Sequence, residues 1–191
     1  AKSGGGGAIG DIGTHAFNLA GFVTGQNPNE LMADLHSFVS GRRLDDNAHI
    51  MMRYESGARA MLWASQVAPG NENNLVLRVY GEKAGLEWHQ ENPNQLWFTR
   101  LGEPKQLITR GGAGAGAAAA QVTRTPGGHP EGYLEGFATI YAEAARAIEA
   151  YRSGTAQPGD IAPQGIAEGV RGMEFIDACL RSSAKQGWVK F

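Results

Sequence analysis

Between residues 31 and 100 the sequence repeats short apolar segments separated by turns, and this spacing constrains the fold more than any other feature. The segments cover 31–39, 48–54, 58–67, 74–80, 86–89 and 96–100. Glu55-Ser56-Gly57 and the glycine-bounded run 81–85 are typical of tight turns between strands. Because parallel strands need crossover connections of about a dozen residues or more, links this short predict an antiparallel meander of five or six strands.

Helical periodicity flanks the strands on both sides. Apolar residues between Asp11 and Thr24 recur at helical spacing, and Gly25 ends this predicted helix. Further predicted elements are amphipathic helices over 133–151 and 166–180, a low-complexity loop over 111–128 and an edge strand over 188–191. This order predicts an α+β fold, an open and mainly antiparallel sheet with helices packed on one face. The 191 residues suit a single domain with its own core.

Composition excludes several classes of partner. Seventeen Lys and Arg balance 19 Asp and Glu for a net charge of −2, and no block of like charge predicts a nucleic-acid or membrane surface. No apolar run approaches the roughly 20 residues that span a bilayer, and the N-terminus lacks the plan of a secretory leader. Cys179 is the single cysteine, which fits a cytoplasmic location. Its apolar helical setting favours packing over a nucleophilic role.

A G-x-G-x-x-G pattern at Gly5, Gly7 and Gly10 is the first functional candidate. It indicates a dinucleotide loop when a buried strand precedes it and a βαβ unit contains it. Here four residues precede Gly5, and the predicted helix leads into a meander. The glycines therefore predict no dinucleotide site, and their close backbone approach before the helix suits either a ligand pocket or a tight turn.

Asp11 and His15 are four residues apart and so lie on one helical face near the helix N-terminus. The carboxylate could orient the imidazole, or both could contact one substrate. An imidazole exchanges a proton near neutral pH, as a general acid or base must. The simpler alternative is that Asp11 is an N-cap and His15 an interfacial histidine. The same spacing suits a metal pair, but the sequence places no third ligand, so no metal site is predicted.

Four segments in order carry a family resemblance, namely 5–25, 73–98, 127–148 and 169–191. They resemble the C-terminal domain of the glucose–fructose oxidoreductase/inositol dehydrogenase/rhizopine catabolism (Gfo/Idh/MocA) family. Asp11, Gly13 and His15 match the D-x-G-x-H motif that opens that domain. Together the segments extend over essentially the whole chain.

The resemblance implies a two-domain oxidoreductase that uses NAD or NADP to transfer a hydride to or from a sugar, an inositol or a related polyol. It implies that His15 is the acid/base and that Asp11 orients the substrate and supports His15. A lysine of an E-K-P motif in an N-terminal Rossmann domain completes this site in the family. The sequence contains neither that domain nor that lysine. We therefore expect residues 1–191 to form the substrate-binding and oligomerisation domain, inactive alone, with the cofactor held mainly elsewhere.

Further residues are predicted to bind the substrate. The stretch that enters the long helix offers Arg124, His129 and Tyr133, and Gln66 follows a strand. All four side chains can hydrogen bond to polyol hydroxyls. The alternative is that Glu131 belongs to the helix start, that Tyr133 is core and that Gln66 faces water.

The uncovered face of the sheet is the predicted interface between copies. Met51, Leu62 and Trp63 lie in this region, and an apolar sheet face left by the helices favours a partner. The family resemblance implies a homodimer or tetramer through this face. The competing hypothesis is a non-catalytic binding or dimerisation module that uses the same surface.

Overall fold

The computed structural model describes residues 6–156 and 165–191. Its contacts divide the chain into two compact units, Ala1–Glu72 with Ile166–Phe191 and Asn73–Gly165. The elements in chain order are a π-helical turn (Ile9–Gly13), α1 (Thr14–Thr24), β1 (Glu30–His36), β2 (Asn47–Arg53), β3 (Arg59–Ser65), β4 (Val76–Tyr80), β5 (Ala84–His89), β6 (Gln95–Arg100), β7 (Gln106–Thr109), α2 (Ala117–Gln121), α3 (Tyr133–Ser153), α4 (Ile166–Lys185) and β8 (Val189–Lys190). The strand pairs that the structure describes are antiparallel, so the predicted α+β class is confirmed.

In the first unit, α1 and α4 cover one face of a four-stranded sheet with the order β3-β2-β1-β8. Phe17 of α1 stacks on Phe175 of α4, with ring centroids 4.2 Å apart. The strands contribute Leu31, Ala33, Ala48, Ile50, Met52, Leu62, Ala64 and Val189 to the same core. On the opposite face Met61 is 81% exposed and Trp63 is 57% exposed. Strand alternation therefore places Leu62 in the core, which corrects its assignment to the uncovered face.

Two serines of α4 complete the edge of β1. Strand β8 pairs with two residues of β1, so the later amides of β1 have no partner on β8. The Ser182 hydroxyl accepts a hydrogen bond from the Ala33 amide at 2.8 Å and donates one to the Gly187 carbonyl at 2.7 Å. The Ser183 hydroxyl accepts one from the Leu35 amide at 3.3 Å. Since a buried amide without a partner is costly, these serines tie α4 to the sheet.

The second unit contains the meander β4-β5-β6-β7, followed by α2 and α3. Helix α3 begins at Tyr133, as the periodicity predicts, but has no fully buried residue. Helix α2 is a single turn of alanines inside the predicted low-complexity loop. No helix in the described part of the chain is long and apolar enough to span a membrane.

The strands form two sheets rather than one continuous sheet. Between β3 and β4 the chain passes through Pro69, Gly70 with φ of 91° and Asn74 with φ of 47°. Proline removes a backbone donor and a positive φ leaves the extended region, so a ladder cannot continue through this connection. Strand β1 also ends at His36, earlier than predicted, because the next amides bind a side chain described below.

Candidate active site

Asp45 caps the helical segment that carries Asp11 and His15. Its carboxylate accepts hydrogen bonds from the amides of Gly7 at 2.6 Å and Ile9 at 2.9 Å, and its carbonyl accepts one from Ala8 at 2.8 Å. A Cβ at position 7 would lie 1.8 Å from that carbonyl oxygen, so the approach requires glycine. The interpretation of Asp11 as the N-cap is therefore wrong. Asp45, 38 residues beyond Gly7, performs that role.

The helix begins with a π-helical turn, and Asp11 lies inside it. Such turns are rare and occur frequently at functional sites, because they shift the direction of side chains relative to an α-helix. The Asp11 carboxylate is exposed and accepts a hydrogen bond from Gln66 Nε2 at 2.9 Å. The structure thus brings together two predicted site residues that are 55 positions apart in the sequence.

His15 lies in the first turn of α1 and is also exposed. Among the described residues, the hydrogen-bonding partner of the Asp11 carboxylate is Gln66 and not His15. The Asp11 carboxylate therefore does not orient the imidazole through a direct hydrogen bond.

Asp46 holds the backbone next to Asp11 and Gln66. This fully buried residue accepts hydrogen bonds from the amides of Phe38 at 2.8 Å and Val39 at 3.0 Å, which ends β1. Its carbonyl accepts one from the Gln66 amide at 2.8 Å. Burial opposes ionisation, but the two amides and the Arg42 guanidinium outweigh it and hold the pKa of Asp46 below its usual value. The neighbouring residues Asp45 and Asp46 thereby hold both sides of the Asp11–Gln66 pair.

The other predicted substrate residues lie in the second unit. Arg124 is exposed and donates a hydrogen bond to Thr139 Oγ1 at 3.2 Å. His129 is exposed, with Nδ1 3.3 Å from the Pro126 carbonyl oxygen. Tyr133 begins α3 and is 75% exposed, so within this chain it is not core.

Glu131 shapes the loop that carries Arg124 and His129. It does not cap α3; the Glu135 carboxylate accepts the hydrogen bond from the Gly132 amide there, at 2.8 Å. Instead, Glu131 Oε1 accepts hydrogen bonds from the amides of Thr125 and Arg124, the second at 2.6 Å. The Thr125 amide foremost, together with the Arg124 amide and the Arg110 guanidinium, outweighs burial and holds the pKa of Glu131 below its usual value.

The sequence did not identify three residues that hold the candidate site residues in place: Asp45, Asp46 and Arg110. Asp45 and Asp46 occur in the polar run 42–47, which by itself is typical of a solvated turn. Their roles depend on amides from other parts of the chain, and no local periodicity records such contacts. A doublet of acids beside a strand end is the one signal that points to capping of neighbouring loops.

The remaining candidates for chemistry are not supported by the geometry. Gly5 lies outside the described residues, and the amides of Gly7 and Ile9 bind a carboxylate, so this turn does not fit a pyrophosphate. No group of three or more metal-ligating side chains occurs within residues 6–156 and 165–191. Burial, with the Asp45 charge nearby, raises the pKa of the Cys179 thiol to about 12, which makes it inert at neutral pH.

This combination of a D-x-G-x-H helix start and an antiparallel sheet agrees with a known family model. Residues 1–87 match the model described as the GFO/IDH/MocA C-terminal domain. Over these residues the chain therefore carries a C-terminal-domain sequence of the GFO/IDH/MocA family.

Individual relatives extend the match over nearly the whole chain. The uncharacterized oxidoreductase YfiI of Bacillus subtilis is 35% identical over 188 residues, which are 96% of this chain and 48% of that protein. A crystal structure of an oxidoreductase from Sinorhizobium meliloti is 60% identical with a TM-score of 0.89, over 96% of this chain and 52% of that one. An inositol dehydrogenase homolog from Azotobacter vinelandii, crystallised with NADH and myo-inositol, is 34% identical with a TM-score of 0.91, over 96% and 50%. The chain thus spans about half the length of these relatives.

Proposed function

We propose that this chain is the substrate-binding half of an NAD(P)-dependent oxidoreductase that interconverts a polyol hydroxyl and a carbonyl. The observation that carries the proposal is the exposed His15, four residues beyond the Gln66-bound Asp11, on a helix start held by Asp45. The Azotobacter vinelandii homolog, whose structure contains NADH and myo-inositol, supports an inositol or a related sugar as the substrate class.

In the proposed reaction His15 handles the proton. When the reacting carbon loses its hydride, the hydroxyl oxygen must lose its proton as the carbonyl forms, and the imidazole accepts that proton. In the reverse direction the imidazolium returns it. When bound, mainly by the other half of the protein, NAD(P) would accept or donate the hydride. Because the cofactor takes only the hydride, a base beside the substrate must take the proton.

Asp11 and Gln66 are proposed to bind the polyol. The carboxylate is acceptor-only when ionised, so it binds hydroxyl hydrogens, whereas the Gln66 amide can both donate and accept. Their mutual hydrogen bond at 2.9 Å fixes both side chains before the substrate arrives. Arg124, His129 and Tyr133 are proposed as further hydroxyl-binding residues, since all three side chains are exposed.

The experiment that tests this function uses the full-length protein, by which we mean this chain joined to the nucleotide-binding half that the proposal requires. Formation of reduced nicotinamide is measured with NAD or NADP and a panel of inositols, aldoses and alditols. We expect turnover with at least one cyclic polyol and none with this chain alone. Absence of hydride transfer with every panel member would favour the competing function, a non-catalytic binding module.

The open face of the first sheet is proposed to join two copies of the protein. Met51 and Met61 are paired in register on neighbouring strands, and His49 and Trp63 continue the row with stacked rings 6.2 Å apart. Met61 and Trp63 are more than half exposed, which is unusual for a surface without a partner. The same face would serve the non-catalytic module, so it supports assembly under either function.

A charge on this face should separate the copies. We expect Met61→Glu to weaken self-association by roughly thirtyfold or more, since a buried unpaired charge costs about 2–5 kcal/mol at an interface. Leu101→Glu is the matched control, because Leu101 is equally exposed but lies in a turn of the second unit. Light scattering over a concentration series gives the masses. A monomeric parent protein at high concentration would refute the proposed interface.

A further inference from the structure

Arg110 is a nearly buried cation whose donors converge on one loop. It directly follows β7, and its side chain is 15% exposed. Nη1 donates to the Thr125 carbonyl at 2.9 Å, and Nη2 donates to Thr125 Oγ1 at 3.2 Å, to the Pro126 carbonyl at 3.3 Å and to the His129 carbonyl. One guanidinium therefore binds the main chain at three positions of a five-residue stretch, 125–129.

Glu131 and Asn94 anchor this guanidinium. Glu131 Oε1 is 3.3 Å from Arg110 Nη1 and accepts the loop amides of Arg124 and Thr125. Asn94 Oδ1 accepts from Arg110 Nε at 2.7 Å and from the Glu131 amide at 3.2 Å, and Asn94 Nδ2 donates to the Glu131 carbonyl at 2.7 Å. The three side chains form one connected network, in which breaking any member leaves a poorly solvated partner.

The network fixes the loop backbone and leaves other side chains available. Within the loop, Arg110 contacts three carbonyl oxygens and one hydroxyl, so it does not bind the side chains of Arg124 and His129. Both remain exposed. A glycine pair at 127–128 lies between Pro126 and Pro130, with Gly128 at φ of 86°, so the middle of the loop has a permissive backbone. Arg110 restricts it by binding the carbonyls on both sides of the pair, those of Pro126 and His129.

We propose that Arg110, held by Glu131 and Asn94, is a positioning residue that presets the 124–129 loop to bind the polyol. The inference rests on the proposed function, because it assigns Arg110 an effect on substrate through His129 and Arg124. A guanidinium suits this task since its planar fork reaches several carbonyls at once, whereas a lysine ammonium is a single point of charge. A positive charge at position 110 should therefore not suffice to fix the loop.

The test compares Arg110→Lys with Arg100→Lys in the full-length protein. Arg100 is an exposed arginine of β6 and provides a matched control. We expect Arg110→Lys to raise KM for the polyol about tenfold with kcat within about twofold, because uniform substrate binding is lost and the chemical step is not. Glu131→Gln, which keeps one acceptor oxygen, should raise KM by a smaller factor. A merely structural Arg110 would reduce the yield of folded enzyme and leave KM unchanged.

A double-variant cycle separates this inference from the proposed function. If Arg110 acts through His129, then His129→Ala should raise KM in the parent protein but add little in the Arg110→Lys background. Multiplication of the two effects would overturn the positioning role, as would an unchanged KM in Arg110→Lys. If His129→Ala and Arg124→Ala both leave KM unchanged while turnover persists, the loop is not part of the substrate site. The inference about Arg110 then fails, whereas the proposed oxidoreductase function stands.

Discussion

Replacing His15 by glutamine is expected to lower kcat of the full-length protein by about 10²–10⁴-fold, the usual contribution of a positioned acid or base. Glutamine retains hydrogen-bonding capacity but cannot accept the hydroxyl proton, so KM for the polyol should change little. Steady-state kinetics with saturating cofactor measure both parameters.

His36→Gln provides the control for this experiment. His36 is an exposed histidine of β1 whose ring contacts Phe38, and its side chain is not among those proposed to bind the substrate. Its contact with the Asp46 amide is made by the main-chain carbonyl, which the variant keeps. We expect its kcat to remain at the parent value. A His15 variant that turned over as fast as the His36 variant would exclude His15 as the proton acceptor and leave Asp11 and Gln66 as binding groups without an identified base.

Truncation of Phe175 should produce the largest loss of stability. This side chain is fully buried and stacks on Phe17 with an interplanar angle of 8°. We expect Phe175→Ala to lower the free energy of unfolding by about 3–5 kcal/mol, because the transfer free energy is lost and a cavity remains. Phe17 lies two residues beyond His15 on α1, so the same core also supports the site.

Phe22→Ala serves as the comparison for Phe175→Ala. Phe22 lies on α1 and is 62% exposed, so its removal should change the free energy of unfolding by no more than about 0.5 kcal/mol. Denaturant titration of the chain followed by circular dichroism measures both variants. Equal losses for the two variants would mean that the Phe17–Phe175 stack is not the centre of the folded core.

The fold class followed from the sequence because strand and helix periodicities are local. Alternation along the meander and the stop at Gly25 are encoded within a few residues, and the structure places them as expected. The division into two sheets was not predicted, since the β3–β4 connection resembles the other turns in composition. Leu62 was assigned to the uncovered face together with Trp63, although successive residues of a strand point to opposite faces.

Part of the candidate site could likewise be predicted from the sequence, and part could not. Asp11 and His15 lie within one helical turn, so their spacing could be read directly, and Gln66 was a weaker candidate from its place at a strand end. Two aspartates hold them from a distance in the sequence: Asp45 reaches Gly7 across 38 positions, and Asp46 reaches Gln66 across 20. No repeat or motif records these contacts. Assigning Asp11 as the N-cap failed for this reason. Arg110 was missed, and Glu131 was assigned to the helix start, because their network requires the folded loop.

The most direct test of the central claim is a crystal structure of the full-length protein with reduced cofactor and a polyol that it turns over. We expect the reacting hydroxyl within hydrogen-bonding distance of the His15 imidazole, with neighbouring hydroxyls bound to Asp11 and Gln66. A polyol bound elsewhere, with His15 separated from the reacting oxygen by another side chain or by solvent, would contradict the account.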